Sequence, residues 1–155
     1  MASTVESRLN EMGITVPDAP APAANYVPWV KSGNMVYVAG QVPFVDGKLT
    51  ATGRLGDGAS VEDGYEQAKI CAINLIAQVK AACDGDLDRV VRVVKLGGFV
   101  ASTPDFTQQP AVVNGASDLM VAAFGDAGKH ARFAVGSSAL PLGCLVEVDG
   151  VFEIS

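Results

Sequence analysis

The chain has 155 residues, 49% of them hydrophobic and 18% charged. That is one domain with enough apolar mass for a real core, and it excludes an intrinsically disordered protein. Seventeen acidic residues against eleven basic ones leave a net charge of −6, which argues against a nucleic-acid binder held by phosphate contacts. Only ten residues are aromatic (six Phe, three Tyr, one Trp), so the core must be built mostly from Val, Ala, Leu and Ile. The balance suits a soluble protein with small-molecule ligands.

In chain order, residues 3–12 read as a short helix. Val5, Leu9 and Met12 fall on one face, with Gly13 as the stop. The Pro/Ala-rich stretch Val16–Ala24 reads as an extended connector. Asn34–Gln41 reads as a strand preceded by a Gly33-Asn34 turn, and Asp46-Gly47 marks a tight turn within Phe44–Thr50. Gly53–Gly58 reads as a loop; its glycine order does not match a dinucleotide fingerprint. Ser60, with Asp63 three residues on, opens the clearest helix. Ala68, Ala72, Leu75, Ile76, Val79 and Cys83 carry it at helical spacing to about residue 83.

Arg89–Ala101 reads as a strand in which Gly97-Gly98 signals a bulge or a close backbone approach. A second long helix begins after Thr107–Pro110 and runs to about Phe124, with Val112, Ala116, Leu119 and Ala123 on one face. Strands Ala131–Gly136 and Cys144–Ile154 close the chain, split by Leu140–Gly143. Strands and helices mix without strict alternation, which predicts an α+β sheet with helices on one face.

In the last strand, Cys144, Val146, Val148, Phe152 and Ile154 share one face and Leu145, Glu147, Asp149, Val151 and Glu153 the other. The first face is expected on the helices. The second is either a solvated sheet face or one covered by a partner, since Leu145 and Val151 make it less polar than a free surface needs. Arg132 at the start of a strand is either a polar edge residue or a fork for a ligand carboxylate. His130 reads as a loop residue, Tyr26 as a structural anchor or a ligand contact, and Asn114 as an exposed helix position. One histidine leaves neither a zinc site nor a Ser/His/Asp triad to expect. Cys71, Cys83 and Cys144 form no CxxC, no export signal opens the chain, and no apolar run approaches the length of a membrane span. The expectation is a cytoplasmic protein with reduced thiols, no metal, no cofactor and no membrane contact.

Several of these segments sit in a family pattern. Asn25-Tyr26-Val27-Pro28 is followed by Ser32 to Pro43, which contains Gly-Asn, five residues, then Gly-Gln-x-Pro. Thr52-Gly53, then Ala72, Asn74 and Leu75, then Ala131-Arg132, Leu140-Pro141 and Val146-Glu147-Val148-Asp149 continue it. The chain resembles the RidA family, also called YjgF or endoribonuclease L-PSP, over roughly residues 25–154. The resemblance implies a chorismate-mutase-like fold, a mixed sheet backed by two α-helices, here with a short extra N-terminal helix. It divides the chain into an N-terminal extension (1–24) and a RidA-like domain (25–155). It also implies a homotrimer whose sheets face one another, which would cover the Glu147 face, with ligand clefts between subunits.

The activity implied is hydrolysis of reactive enamines and imines, such as 2-aminoacrylate, to a 2-keto acid and ammonia. By position, Arg132 matches the arginine that holds the substrate carboxylate and Glu147 the glutamate near the attacking water. Gly40 matches the glycine whose backbone faces the ligand. Tyr26 and Asn114 match cleft residues contributed by a neighbouring subunit. The chain departs from the family at Ala39, where serine is common, at Ala134, where cysteine is common, and at the bulkier Phe133. The alternatives are a non-catalytic trimer that binds a small carboxylate for regulation and, more weakly, an endoribonuclease.

Overall fold

A computed structural model describes residues 2–22 and 24–155. Helix α1 (Thr4–Glu11) is capped by the Ser3 hydroxyl and followed by the connector. Strands β1 (Trp29–Ser32) and β2 (Met35–Gln41) form a hairpin around Gly33-Asn34. Strands β3 (Phe44–Val45) and β4 (Lys48–Leu49) form a second around Asp46-Gly47. The glycine-rich loop holds a minimal parallel ladder, β5 (Arg54–Leu55) with β6 (Gly58–Ala59). Helix α2 (Val61–Ala82), strand β7 (Val90–Ala101), helix α3 (Gln109–Phe124), strand β8 (Ala131–Ser137) and strand β9 (Val146–Ile154) complete the chain.

The main sheet has the order β1-β2-β9-β7-β8. All neighbours are antiparallel except β7 and β8, which run parallel because α3 carries the chain back between them. Both long helices lie on one face. The Ser60–Asp63 capping box closes reciprocally at the start of α2, satisfying two otherwise unpaired N–H groups. Ala68, Ala72, Leu75 and Val79 from α2 meet Val112, Ala116 and Met120 from α3 over Val36, Leu96, Val148 and Phe152 of the sheet. Each large buried side chain stabilises this layer by about 1.5–3 kcal/mol. Helix α1 adds Val5 and Leu9 to the same core, and its Thr4 and Val5 N–H groups donate to the Asp88 carboxylate at 2.9 and 3.2 Å. Met12, expected on that apolar face, forms the C-terminal cap and is exposed. Among the described residues no helix is long and apolar enough to cross a membrane.

Three further details differ from the sequence reading. The strand Trp29–Ser32 had no signal of its own; it exists because it pairs with β2. Leu145, assigned to the Glu147 face by alternation, is in the core at 1% exposure. Its carbonyl accepts from Ala101 N–H just before β9 begins, so the two-residue period does not yet apply there. At Gly97-Gly98 the register with β9 is unbroken and the irregularities lie earlier, at Val90/Arg92 and Val93/Lys95. The glycines serve close approach instead: a Cβ on Gly97 would meet Asp149 and Phe133, and one on Gly98 would meet Val113 Cγ1 at 2.6 Å.

The alternation of β9 leaves a second, open face. Val30, Tyr37, Phe99 and Val135 lie there, each between about a third and a half exposed, with Phe99 edge-on to Phe133 at 5.3 Å. The α2–α3 contact depends on Gly115, where a Cβ would run into the Tyr65 backbone carbonyl. Gly115→Ala is therefore expected to push α3 off α2 and cost about 2 kcal/mol, in the range of small overpacking changes. Urea denaturation of the two proteins, with unchanged slope and a lower midpoint, checks this.

Candidate functional site

The family-matched residues fall into two clusters. The first is built around β2 and β9. In β2, Val38 pairs with Gly150 and Gln41 with Val148, so Ala39 and Gly40 together oppose Asp149 alone. This is a bulge, a device that re-aims backbone near sites; the glycine inside the strand pattern was its sequence signal. The bulge is pinned by Ala39 N–H donating to the Pro28 carbonyl at 2.9 Å and by Gln41 Nε2 donating to the Ala39 carbonyl at 2.9 Å. Glu147 lies directly against Gly40: a Cβ there would sit 2.6 Å from Glu147 Oε1. A side chain at this position would push the Glu147 carboxylate from where it lies.

Glu147 and Gly40 line a cleft of about 330 Å³ walled by Pro20, Pro22, Tyr26 and Leu142. The connector thus forms part of the wall. It is held by Gln78, buried in α2, whose Nε2 donates to the Pro20 carbonyl at 2.7 Å. The Glu147 carboxylate makes no hydrogen bond or ion pair with any described residue. Burial, and then the neighbouring Asp149 charge, push its pKa above the usual glutamate range. Asp149 is raised too, by burial. The nearby thiols are not nucleophiles. Burial pushes Cys144 up to about 11 and Cys71 well above its ordinary value.

The second cluster is at the β8 edge. Arg132 pairs in register with Leu96, a core residue, so its side chain projects on the helix side of the sheet. There it meets one stripe of α3. Nη1 donates to Asn114 Oδ1 at 2.9 Å and to Ser117 Oγ at 3.1 Å, and Nη2 donates to the Pro110 carbonyl at 3.4 Å. Residues 110, 114 and 117 recur at i, i+4 and i+7, the helical spacing that puts them on one face. Nε–H and one Nη2 hydrogen have no partner among the described residues. A guanidinium with two free donors is suited to a bidentate carboxylate contact.

The sequence-matched grouping is thus rearranged. Asn114, expected from a neighbouring subunit, is a direct partner of Arg132 in the same chain. Tyr26 lies with Gly40 and Glu147. Arg132 and Glu147 project from opposite faces of the sheet and share no cleft within one chain. Ser117 and His130 were not expected at the site. His130 precedes β8 by one residue and bonds to Ser117, Oγ to Nε2, at 2.8 Å. The spacing of Asn114 and Ser117 on α3 was the available signal for Ser117. Among the described residues no group of three or more His, Cys, Asp or Glu side chains is arranged to hold a metal ion.

The raised Glu147 pKa has a stability consequence. The folded state holds this proton more tightly than the unfolded chain, so stability falls as pH rises from the unfolded glutamate value through the raised folded one. Above that window the ionised carboxylate is a standing cost. Glu147→Gln is therefore expected to raise Tm at pH 7 and to give no gain at pH 3, where both forms are neutral. Thermal melts of both proteins at the two pH values check this.

Comparison with known proteins places this arrangement. The model of the YjgF/chorismate-mutase-like endoribonuclease family matches residues 6–154. Protein TCP17 of Trypanosoma cruzi is 49% identical over 152 residues, covering 97% of this chain and 94% of that one. The crystal structure of Atu1372 from Agrobacterium tumefaciens, of unknown function, superposes with a TM-score of 0.93 at 48% identity, covering 98% of this chain and 93% of that one. RidA from an Antarctic Psychrobacter gives a TM-score of 0.60 at 29% identity, covering 88% of this chain and 94% of that one. With the family model spanning residues 6–154 and a relative 49% identical over 97% of the chain, this protein belongs to the YjgF/RidA family.

Proposed function

We propose that the protein hydrolyses 2-imino acids and 2-aminoacrylate-type enamines to 2-keto acids and ammonia, at clefts between the subunits of a homotrimer. The observation that carries this reading is the unpaired Glu147 carboxylate with its raised pKa, set against Gly40 in a mostly apolar cleft. An acid/base group tuned toward neutrality is what this reaction asks of a protein. The carbon of a protonated imine is already electrophilic. Water adds to it as Glu147 accepts a water proton, giving a carbinolamine. The same proton then passes to the amine nitrogen; as the C–N bond breaks and ammonia leaves, the ionised Glu147 takes the hydroxyl proton and the carbonyl of the 2-keto acid forms. An enamine enters the sequence after protonation at its terminal carbon.

Arg132 anchors the substrate carboxylate through its free donors and fixes the imine carbon relative to the water. Because Arg132 and Glu147 face opposite sides of one sheet, a site that uses both takes them from two chains. The half-exposed apolar residues on the open face supply surface for that self-association. The walls of proline, alanine and leucine around Glu147 favour imines with apolar side chains.

In an assay where an amino-acid oxidase makes imino acids and semicarbazide traps them, the wild-type protein is expected to speed loss of the trapped signal. Arg132→Ala is expected to lower kcat/KM at least about a hundredfold, and Glu147→Gln to lower kcat by roughly 10²–10⁴. Absence of acceleration with several imino acids, from a folded oligomer, counts against deamination. Sedimentation is expected to give a mass close to three times the 15.9 kDa chain. Mixing the two inactive variants in equal amounts, by co-expression, is expected to restore about a quarter of wild-type activity. Random assembly around a threefold ring gives that fraction of sites an intact Arg132 from one chain and an intact Glu147 from the next. No recovery in mixed trimers would mean that both residues act from one subunit.

A further inference from the structure

The Arg132 cluster contains a hydrogen-bond chain that the deamination chemistry does not use. His130 Nδ1 lies 2.6 Å from the Gly128 carbonyl oxygen. A carbonyl can only accept, so Nδ1 carries the proton in that bond. In the neutral ring Nε2 is then an acceptor. The Ser117 hydroxyl, 2.8 Å away, donates to it. Having donated there, Ser117 Oγ turns its lone pairs to Arg132 Nη1, which donates to it at 3.1 Å. Every link has one consistent direction: Arg132 to Ser117, Ser117 to His130, His130 to Gly128.

Both ends of the chain are held by rigid backbone. Gly128 ends a short 3-10 turn (Gly125–Gly128) and is packed so closely on Met120 that a Cβ would meet the Met120 carbonyl. Its own carbonyl is therefore fixed. Ser117 sits on α3, which Gly115 seats against the Tyr65 carbonyl of α2, and next to it Tyr65 donates to Asp118 at 2.7 Å. Asn114 fixes Nη1 from the same helix. Such a donor chain polarises each member and orients the guanidinium plane, whereas an arginine at a free sheet edge would sample many rotamers.

We infer that Ser117 and His130 are positioning residues that lock the Arg132 guanidinium in the orientation that receives a ligand carboxylate. The inference rests on the reading of Arg132 as the carboxylate anchor. It predicts a defect in carboxylate binding, with the chemical step spared.

The test is calorimetric titration of the full-length oligomer with pyruvate, together with kcat and KM for imine hydrolysis. Ser117→Ala and His130→Ala are expected to weaken pyruvate binding and raise KM by roughly tenfold each, the usual worth of a hydrogen bond to a charged group. The value of kcat is expected to stay within about twofold. Ser117→Thr, which keeps the hydroxyl, is expected to restore wild-type values, and melting temperatures to remain close to wild type. Wild-type affinity for pyruvate in both Ala variants would overturn the inference, as would a Ser117→Thr protein as weak as Ser117→Ala, or a wild-type protein that binds no pyruvate. Pyruvate binding that follows this pattern in a protein that hydrolyses no imine would retain the positioning role and overturn deamination alone.

Discussion

Strand β9 is hydrogen-bonded along both edges, to β2 and to β7, and its side chains alternate between two faces. Val146, Val148, Phe152 and Ile154 go to the helices, and Glu147 and Asp149 go to the other side. Because the strand is central, its register cannot slip by one residue without driving the three carboxylates of Glu147, Asp149 and Glu153 into the core and four apolar side chains out of it. That constraint fixes where Glu147 projects. The Ala39–Gly40 bulge on the neighbouring strand then determines what it projects against.

The Glu147 environment is costly for the fold, and under the proposed deamination it is what supplies an acid/base group. A carboxylate with no protein partner, pressed against a glycine and walled by prolines, is less well solvated than in water, and the second carboxylate at Asp149 adds repulsion. Both effects favour the protonated form. A fold optimised for stability alone would pair this group or replace it. Retaining it in an apolar cleft is the kind of local conflict found where a site needs an acid and a base in one residue.

The Arg132 cluster follows the opposite logic. The charge sits at a sheet edge, where solvation is cheap, and its orientation is fixed by a helix stripe and by a histidine whose two nitrogens are both engaged. Helix α3 serves the core with Val112, Ala116 and Met120 and serves this edge with Pro110, Asn114 and Ser117. One cluster tunes a proton affinity and the other fixes a direction, and the sheet keeps them on opposite faces of a single chain.

The sequence alone determined a good deal. Helical spacing marked α1, α2 and α3, a turn signal marked β2, a β-branched run marked β7, and the two-residue period sorted the faces of β9. Ser60 and Asp63 announced the α2 cap, the Gly-Asn turn marked where β2 begins, and the Asp-Gly turn placed the β3–β4 hairpin. These features are local, set by how side chains a few residues apart meet the backbone and the core, so one stretch of chain suffices to read them. The segments Asn25–Pro43, Ala131-Arg132 and Val146–Asp149 also carried the family pattern, and with it Gly40, Arg132 and Glu147. What lay beyond reach were the non-local facts. Trp29–Ser32 is a strand only because β2 offers it an edge. Leu145 is buried because the chain has not yet entered β9. Gly97 and Gly98 answer to Asp149, Phe133 and Val113, which are distant in sequence. The pairing of Arg132 with Asn114, Ser117 and, through Ser117, His130 depends on α3 crossing back over a parallel pair of strands. Only the tertiary structure decided these, because each depends on which surface another part of the chain brings within a few ångströms, and periodicity along one segment carries no record of that.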